Sequence, residues 1–160
     1  MINVLFVCLG NICRSPMAEA IFRHKVKQAK LEHKIHVDSV GTSAFHIGQR
    51  PHRGTHRELK RHNISSDGIA ARQLSGQDIE NSQYIIVMDT ENLNDVRQQA
   101  RRWGYNVDDA RMMLEFSSNP QLGDLNVPDP YYTRGFDKVY NMLDDASDGL
   151  LKYIRKQEKL

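Results

Sequence analysis

The run Val4-Leu5-Phe6-Val7 passes straight into Cys8-Leu9-Gly10-Asn11-Ile12-Cys13-Arg14-Ser15-Pro16, and this junction limits what the chain can become. Four apolar residues without alternation fit a strand covered on both faces, as in a parallel sheet. Gly10 and Asn11 interrupt the run. Ser15-Pro16 then opens a helix, because proline has no N–H to lose in a first turn. A strand that leads into a helix is the first half of a parallel crossover. The alternation continues. Ile35–Ser39 and Tyr84–Met88 read as strands, and Met112-Met113-Leu114 as a weaker one. Thr55 and Glu58 have the spacing of a capping box, which predicts a helix from His56 to His62. Ser75 caps a short helix through Asn81. Leu93, Val96, Ala100 and Trp103 recur at helical spacing, and Phe136, Val139, Tyr140, Leu143, Leu150 and Ile154 mark an amphipathic terminal helix. Gly41–Gly54 and Ser117–Arg134 read as loops. The pattern predicts an α/β fold, one domain over residues 1–160, with a four-stranded parallel sheet between helical layers.

Bulk properties exclude several alternatives. With 160 residues the chain can bury a core without staples. Its net charge of +2 is too small to argue for nucleic acid or a membrane surface. No apolar stretch approaches the ~20 residues of a membrane span. The segment Met1–Val7 has neither the basic leader nor the cleavage site of a signal peptide. Two cysteines, Cys8 and Cys13, are too few for a disulfide framework and suit site chemistry in a reducing compartment. We expect a cytoplasmic protein, monomeric or weakly self-associating. None of the seven histidines has metal-ligand spacing, so no metal and no cofactor is expected. Asp144, Asp145 and Asp148 read as a solvated helix face.

The chemistry lies between Cys8 and Ser15. A loop that closes at a helix N-terminus presents unpaired N–H groups, which favour an anion. Gly10 and Asn11 tolerate the positive φ values that fold such a loop into a cradle. Arg14 offers a planar fork for phosphate. The same positive surroundings favour the thiolate of Cys8, the nucleophilic form. Ser15 can donate a hydrogen bond to that thiolate. These parts predict attack on phosphorus, a phosphocysteine, and its hydrolysis by water.

Val7-Cys8-Leu9-Gly10-Asn11-Ile12-Cys13-Arg14-Ser15-Pro16-Met17-Ala18-Glu19 resembles the signature of the low-molecular-weight protein tyrosine phosphatases. The late segment Pro128-Asp129-Pro130-Tyr131-Tyr132 is similar to that family's second motif, and the resemblance covers essentially the whole chain. It implies a phosphate-binding loop after the first strand. Cys8 would be the nucleophile, Arg14 the phosphate clamp and Asp129 the general acid. Substrate would lie against Leu9, Gly10, Asn11, Ile12, Cys13, Ser15, Phe45, Tyr131 and Tyr132, with Ser39 and Asn11 supporting the loop. Partners would be phosphotyrosine-containing proteins. Oxidation of Cys8 would be trapped by Cys13. From the residues alone, Phe45 fits packed core equally well.

Three rival functions share parts of this pattern. Arginine phosphatases have Thr where this chain has Leu9 and Ile12. Arsenate reductases need further thiols, and no cysteine follows Cys13. A non-catalytic phosphate-binding module needs neither Cys8 nor Asp129. Two segments depart from the family. Pro51-His52-Arg53-Gly54 stands where Pro-Asp-Pro-Arg is common, and Ile69 stands where a histidine usually precedes Ala-Arg-Gln. Arg50, Arg53, Arg57, Lys60 and Arg61 suggest either a basic rim for acidic phosphoproteins or, preferably, a solvated helix face.

Overall fold

The computed structural model describes residues 1–119 and 123–160. Its elements are β1 (Ile2–Cys8), α1 (Arg14–Gln28), β2 (Ile35–Gly41), α2 (Arg53–Arg61), α3 (Gly76–Asn81), β3 (Tyr84–Val87), α4 (Thr90–Arg102), β4 (Arg111–Met112), a 3₁₀ turn (Met113–Phe116), α5 (Pro130–Thr133) and α6 (Phe136–Glu158). The four strands are parallel, in the order β2-β1-β3-β4.

The unbroken apolar run of β1 has a direct cause. Val4 and Phe6 join the cluster formed with Ile21, Phe22, Leu143 and Leu150 of α1 and α6. Leu5 and Val7 join a second cluster on the opposite face, with Val96 and Ala100 of α4. A strand covered on both faces has no polar side to alternate with. Full burial of each such side chain contributes roughly 1.5–3 kcal/mol. The result is a three-layer α/β fold.

β1 lies between β2 and β3, so the strand order reverses beside it. The crevice at the carboxyl ends of such strands is where open α/β sheets bind ligands. Cys8 ends β1 opposite Gly41, the last residue of β2. Asp89 follows β3 closely and caps α4.

Several expectations need correction. α2 starts at Arg53, not His56, and its cap is His52, whose Nδ1 accepts the Gly54 N–H at 3.0 Å. Thr55 therefore lies inside the first turn. Its buried hydroxyl donates to the Cys13 carbonyl at 3.0 Å and ties α2 to the loop after β1. The third predicted strand ends at Val87, and of the fourth, expected at Met112–Leu114, Met112 alone is strand, joined by Arg111, while Met113 and Leu114 form the 3₁₀ turn. Trp103 is the C-cap of α4 and 43% exposed, so the stripe's burial stops at Ala100. The predicted loop Ser117–Arg134 contains α5, while its Pro120, Gln121 and Leu122 lie outside the described residues. The aspartates of α6 are not merely solvated. Asp144 and Asp148 pair with Lys25 at 2.8 and 2.9 Å, and Asp145 accepts from Ser117 and Ser118. Among the described residues, no helix is long and apolar enough to cross a membrane, and no group of side chains could hold a metal ion.

Candidate active site

The loop from Cys8 to Arg14 turns its carbonyls outward. The Cys8 and Leu9 carbonyls accept from the amides of Thr42 and Ser43. The Ile12 carbonyl accepts from the His52 amide, and that of Cys13 from the Met17 amide and Thr55 Oγ1. None of the N–H groups from Leu9 to Arg14 makes a hydrogen bond with another described residue. An amide run without partners, leading into a helix N-terminus, is an anion cradle. Asn11 adopts φ 56°, as the cradle requires, but Gly10 is not among the positive-φ residues. A Cβ at position 10 would come within 2.9 Å of the His46 ring, a side chain that can turn aside. Gly41 is more tightly constrained, since its Cβ would come within 2.8 Å of the Leu9 carbonyl oxygen, which is backbone.

A chain of buried hydrogen bonds holds the loop from behind. Asn11 Nδ2 donates to Ser15 Oγ at 2.8 Å and to Ser39 Oγ at 2.9 Å, while its Oδ1 accepts the Arg72 amide at 3.0 Å. Ser39 Oγ donates to Glu19 Oε1 at 2.6 Å. Ser15 Oγ lies 2.9 Å from Cys8 Sγ and 3.4 Å from the Val40 carbonyl. Ser15 Oγ accepts from Asn11, and its own proton is placed between the Cys8 sulfur and the Val40 carbonyl. The hydrogen-bond chain thus links Asn11 through Ser15 to the Cys8 sulfur. Ile69, at the position where the family usually has histidine, is packed into the core, and the Arg72 backbone supplies the polar support of Asn11 instead.

Glu19 ends this chain without a histidine. Burial is the main cause that pushes its carboxyl up from 4.5 to about 7, against the hydrogen bond from Ser39. The folded chain then binds a proton that the unfolded chain releases in this range. Stability from Glu19 is full below the unfolded value and is lost as pH rises through the folded one. The shift is worth roughly 3 kcal/mol at most. Glu19→Gln keeps an acceptor for Ser39, so it is expected to remove this loss between about pH 5 and about pH 8. Urea midpoints across that range check it, and parallel curves for native protein and variant would exclude Glu19 as the source.

Arg14 is 3% exposed and is held from two sides. Nη1 donates to Asp89 Oδ2 at 2.6 Å and to the Val127 carbonyl at 3.0 Å, while Nη2 lies 3.5 Å from Asp129 Oδ2. Burial opposes the guanidinium charge, but the thiolate form of Cys8, Asp89 and Asp129 outweigh it and hold the group firmly protonated. In the sequence, Asp89 is the residue that follows the strand-like run Tyr84–Met88. Its Oδ1 accepts the Asn92 amide at 2.7 Å, so one carboxylate both caps α4 and fixes the arginine. A carboxylate at the end of the strand beside the cysteine-bearing one was the signal available. Asp129 caps α5, accepting the Tyr131 amide at 3.1 Å, and the Val127 amide donates to the Met88 carbonyl at 2.8 Å. The segment that carries Asp129 is thus pinned to the end of β3.

Cys8, Leu9, Gly10, Ile12, Cys13, Arg14, Phe45, Asp129, Tyr131 and Tyr132 line one cleft of about 330 Å³, joined by Ser43 and His46. Phe45 is 80% exposed, so it is cleft wall and not core. Asn11, Ser15 and Ser39 are not cleft wall; they are buried behind the loop. Both thiols are free. Burial first, then the charges of Asp129 and Cys8, push the Cys13 thiol up to about 12, so it stays protonated.

A doubly wound parallel sheet with a cysteine, an arginine and an aspartate around one anion cradle defines a class, the small α/β phosphatases. The family described as low molecular weight phosphotyrosine protein phosphatase matches residues 3–160. The chain is similar to low molecular weight protein-tyrosine-phosphatase YfkJ of Bacillus subtilis, with 47% identity over all of both chains. It is 40% identical to low molecular weight protein-tyrosine-phosphatase PtpA of Staphylococcus aureus, over 100% of this chain and 98% of that one. The crystal structure of YfkJ from Bacillus subtilis superposes with a TM-score of 0.92 at 46% identity, covering 98% of this chain and 96% of that one. The chain belongs to the low-molecular-weight protein tyrosine phosphatase family, and it is a phosphatase.

Proposed function

We propose that residues 1–160 form one catalytic domain that hydrolyses protein phosphotyrosine and small aryl phosphates through a phosphocysteine. The observation that carries this reading is the convergence of Cys8, Arg14 and Asp129 on the cleft whose loop amides are unpaired. The loop amides and the Arg14 fork bind the three non-bridging phosphate oxygens. The Cys8 thiolate attacks phosphorus from below. The ester bond breaks, and Asp129 gives its proton to the departing phenolic oxygen. Water then attacks the phosphocysteine. Asp129 takes the proton from this water, and the sulfur leaves again as thiolate. Asp89 holds Arg14 throughout, so little reorganisation is needed as charge develops.

Ile12 supports tyrosine as the phosphorylated residue. It is 7% exposed and lines the cleft with Phe45, Tyr131 and Tyr132. An apolar branched side chain packs on an aryl ring but leaves guanidinium N–H groups without acceptors, at about 1–3 kcal/mol per group. Phosphoserine is too short to carry phosphorus past these walls to the buried Cys8. Native protein is therefore expected to prefer phosphotyrosine peptides over phosphoarginine and phosphoserine peptides by roughly tenfold or more in kcat/KM. Ile12→Thr should narrow the gap to phosphoarginine. A native preference for phosphoarginine would overturn the substrate reading.

A further inference from the structure

A second hollow, of about 560 Å³, adjoins the cleft and shares Tyr131 with it. Its lining includes His52, Arg53 and Arg57 from the start of α2, Arg134 after α5, and Phe136 at the start of α6. The floor is aromatic. His52 stacks on Phe136 with centroids 4.9 Å apart and meets Tyr131 edge-on at 5.9 Å. Gly54 makes the floor possible, because a Cβ there would lie 2.4 Å from the Phe136 ring. This explains the departure at Pro51–Gly54. His52 caps the helix and Gly54 admits the ring, so the first turn of α2 can sit against the acid-bearing segment.

The rim of this hollow is cationic and uncompensated. Arg53, Arg57 and Arg134 are exposed, and none forms an ion pair or a side-chain hydrogen bond with a described residue. Among the other basic residues of this region, Arg61 pairs with Glu58 at 3.2 Å, Arg50 lines a neighbouring hollow to which Arg53 also contributes, and Lys60 lines another. His52 feels the field: burial first, then Arg53 and Arg57, lower its tendency to protonate. Three unpaired guanidinium groups around one hollow are more than a solvated helix face requires. They meet across α2 and the turn after α5, two segments that sequence reading could not bring together.

We propose that this hollow is a second anion subsite, which takes a carboxylate or a further phosphate of the substrate chain near the phosphotyrosine in the cleft. The inference rests on the phosphotyrosine reading above. Tyr131 forms the shared wall, so the hollow is within reach of residues that flank a phosphotyrosine seated in the cleft. Guanidinium groups suit both carboxylate and phosphate, through paired N–H donors. Each pair at an exposed rim is weak and salt-dependent, and it acts on selectivity more than on chemistry.

The test uses phosphotyrosine peptides of one length, flanked by Glu, by Gln, or by a second phosphotyrosine. At low salt, native protein is expected to favour the Glu-flanked over the Gln-flanked peptide by about threefold to tenfold in kcat/KM. The advantage should shrink as salt is raised. The double variant Arg53→Gln/Arg57→Gln should lose it, as should Arg134→Gln in part, with p-nitrophenyl phosphate turnover unchanged as proof of an intact site. Peptide binding to Cys8→Ser, read by fluorescence anisotropy, should show the same ranking without turnover. A gain for the doubly phosphorylated peptide alone assigns the subsite to phosphate, and a gain for both assigns it to anions generally. Equal constants for all three peptides, or an advantage that survives the double variant, would overturn the subsite. If only phosphoarginine peptides were turned over, the substrate reading would fail, and the same Glu-against-Gln comparison on those peptides would still decide the subsite.

Discussion

Cys8→Ser is expected to abolish turnover while binding of a phosphate analogue persists. The substitution exchanges one atom at the end of β1. The outward carbonyls of the loop, the Asp89–Arg14 pair and the Asn11 support do not depend on the sulfur. A serine hydroxyl at this position needs a base to become a nucleophile, whereas Ser15 offers only a hydroxyl and Arg14 only a cation. The expected loss is roughly 10⁴-fold or more, the scale seen when a covalent nucleophile is removed. Vanadate or phosphate should still raise Tm, because the cradle remains and a ligand of the folded state stabilises it. Appreciable turnover by the variant would sink the covalent mechanism. Loss of the Tm shift would instead point to a loop that needs the sulfur for its shape.

Asp129 should show its role through the leaving group. Asp129→Asn keeps the hydrogen bond to the Tyr131 amide, since Asn and Asp cap helices about equally well. It therefore removes the proton while leaving α5 capped. Phenols of high pKa leave poorly without protonation, so their phosphates should slow by about 10²–10⁴-fold. Nitrophenols leave readily as anions and should slow much less. Asp129→Ala should match this pattern, with an added loss of about 0.5–2 kcal/mol from the missing cap. Rates across a series of aryl phosphates, plotted against leaving-group pKa, give the answer. An equal loss along the whole series would remove Asp129 from the acid role.

The features legible in the sequence were those set by local spacing. Val4–Val7 announced a strand covered on both faces, and Cys8–Pro16 announced a loop closing at a helix. Both signals lie within a few residues of one another. The misreadings arose where a side chain serves a distant partner. Thr55 and Glu58 have capping-box spacing, but the Thr55 hydroxyl serves the Cys13 carbonyl, and a histidine caps the helix in its place. The sequence offers both Gly10 and Asn11 for positive φ, whereas in the folded loop Asn11 takes it and Gly10 does not. Phe45 was ambiguous because exposure of a loop aromatic depends on what packs beneath it. Asp89 has no role legible in the sequence, since nothing local distinguishes a strand-end aspartate that caps a helix from one that also holds an arginine.

Arg14 receives its fixed position from partners 75 and 113 residues further along the chain. Closing loops of that length costs entropy before any contact repays it, so this is one of the least local parts of the topology. The thiol and the guanidinium are neighbours in sequence, yet their mutual geometry exists only after the chain around β3 and Val127 has docked. A collapsed species with β1 and α1 formed but the later segments loose would carry both reactive groups and no catalytic arrangement of them. Enzymatic activity in this protein is thus expected to report complete folding.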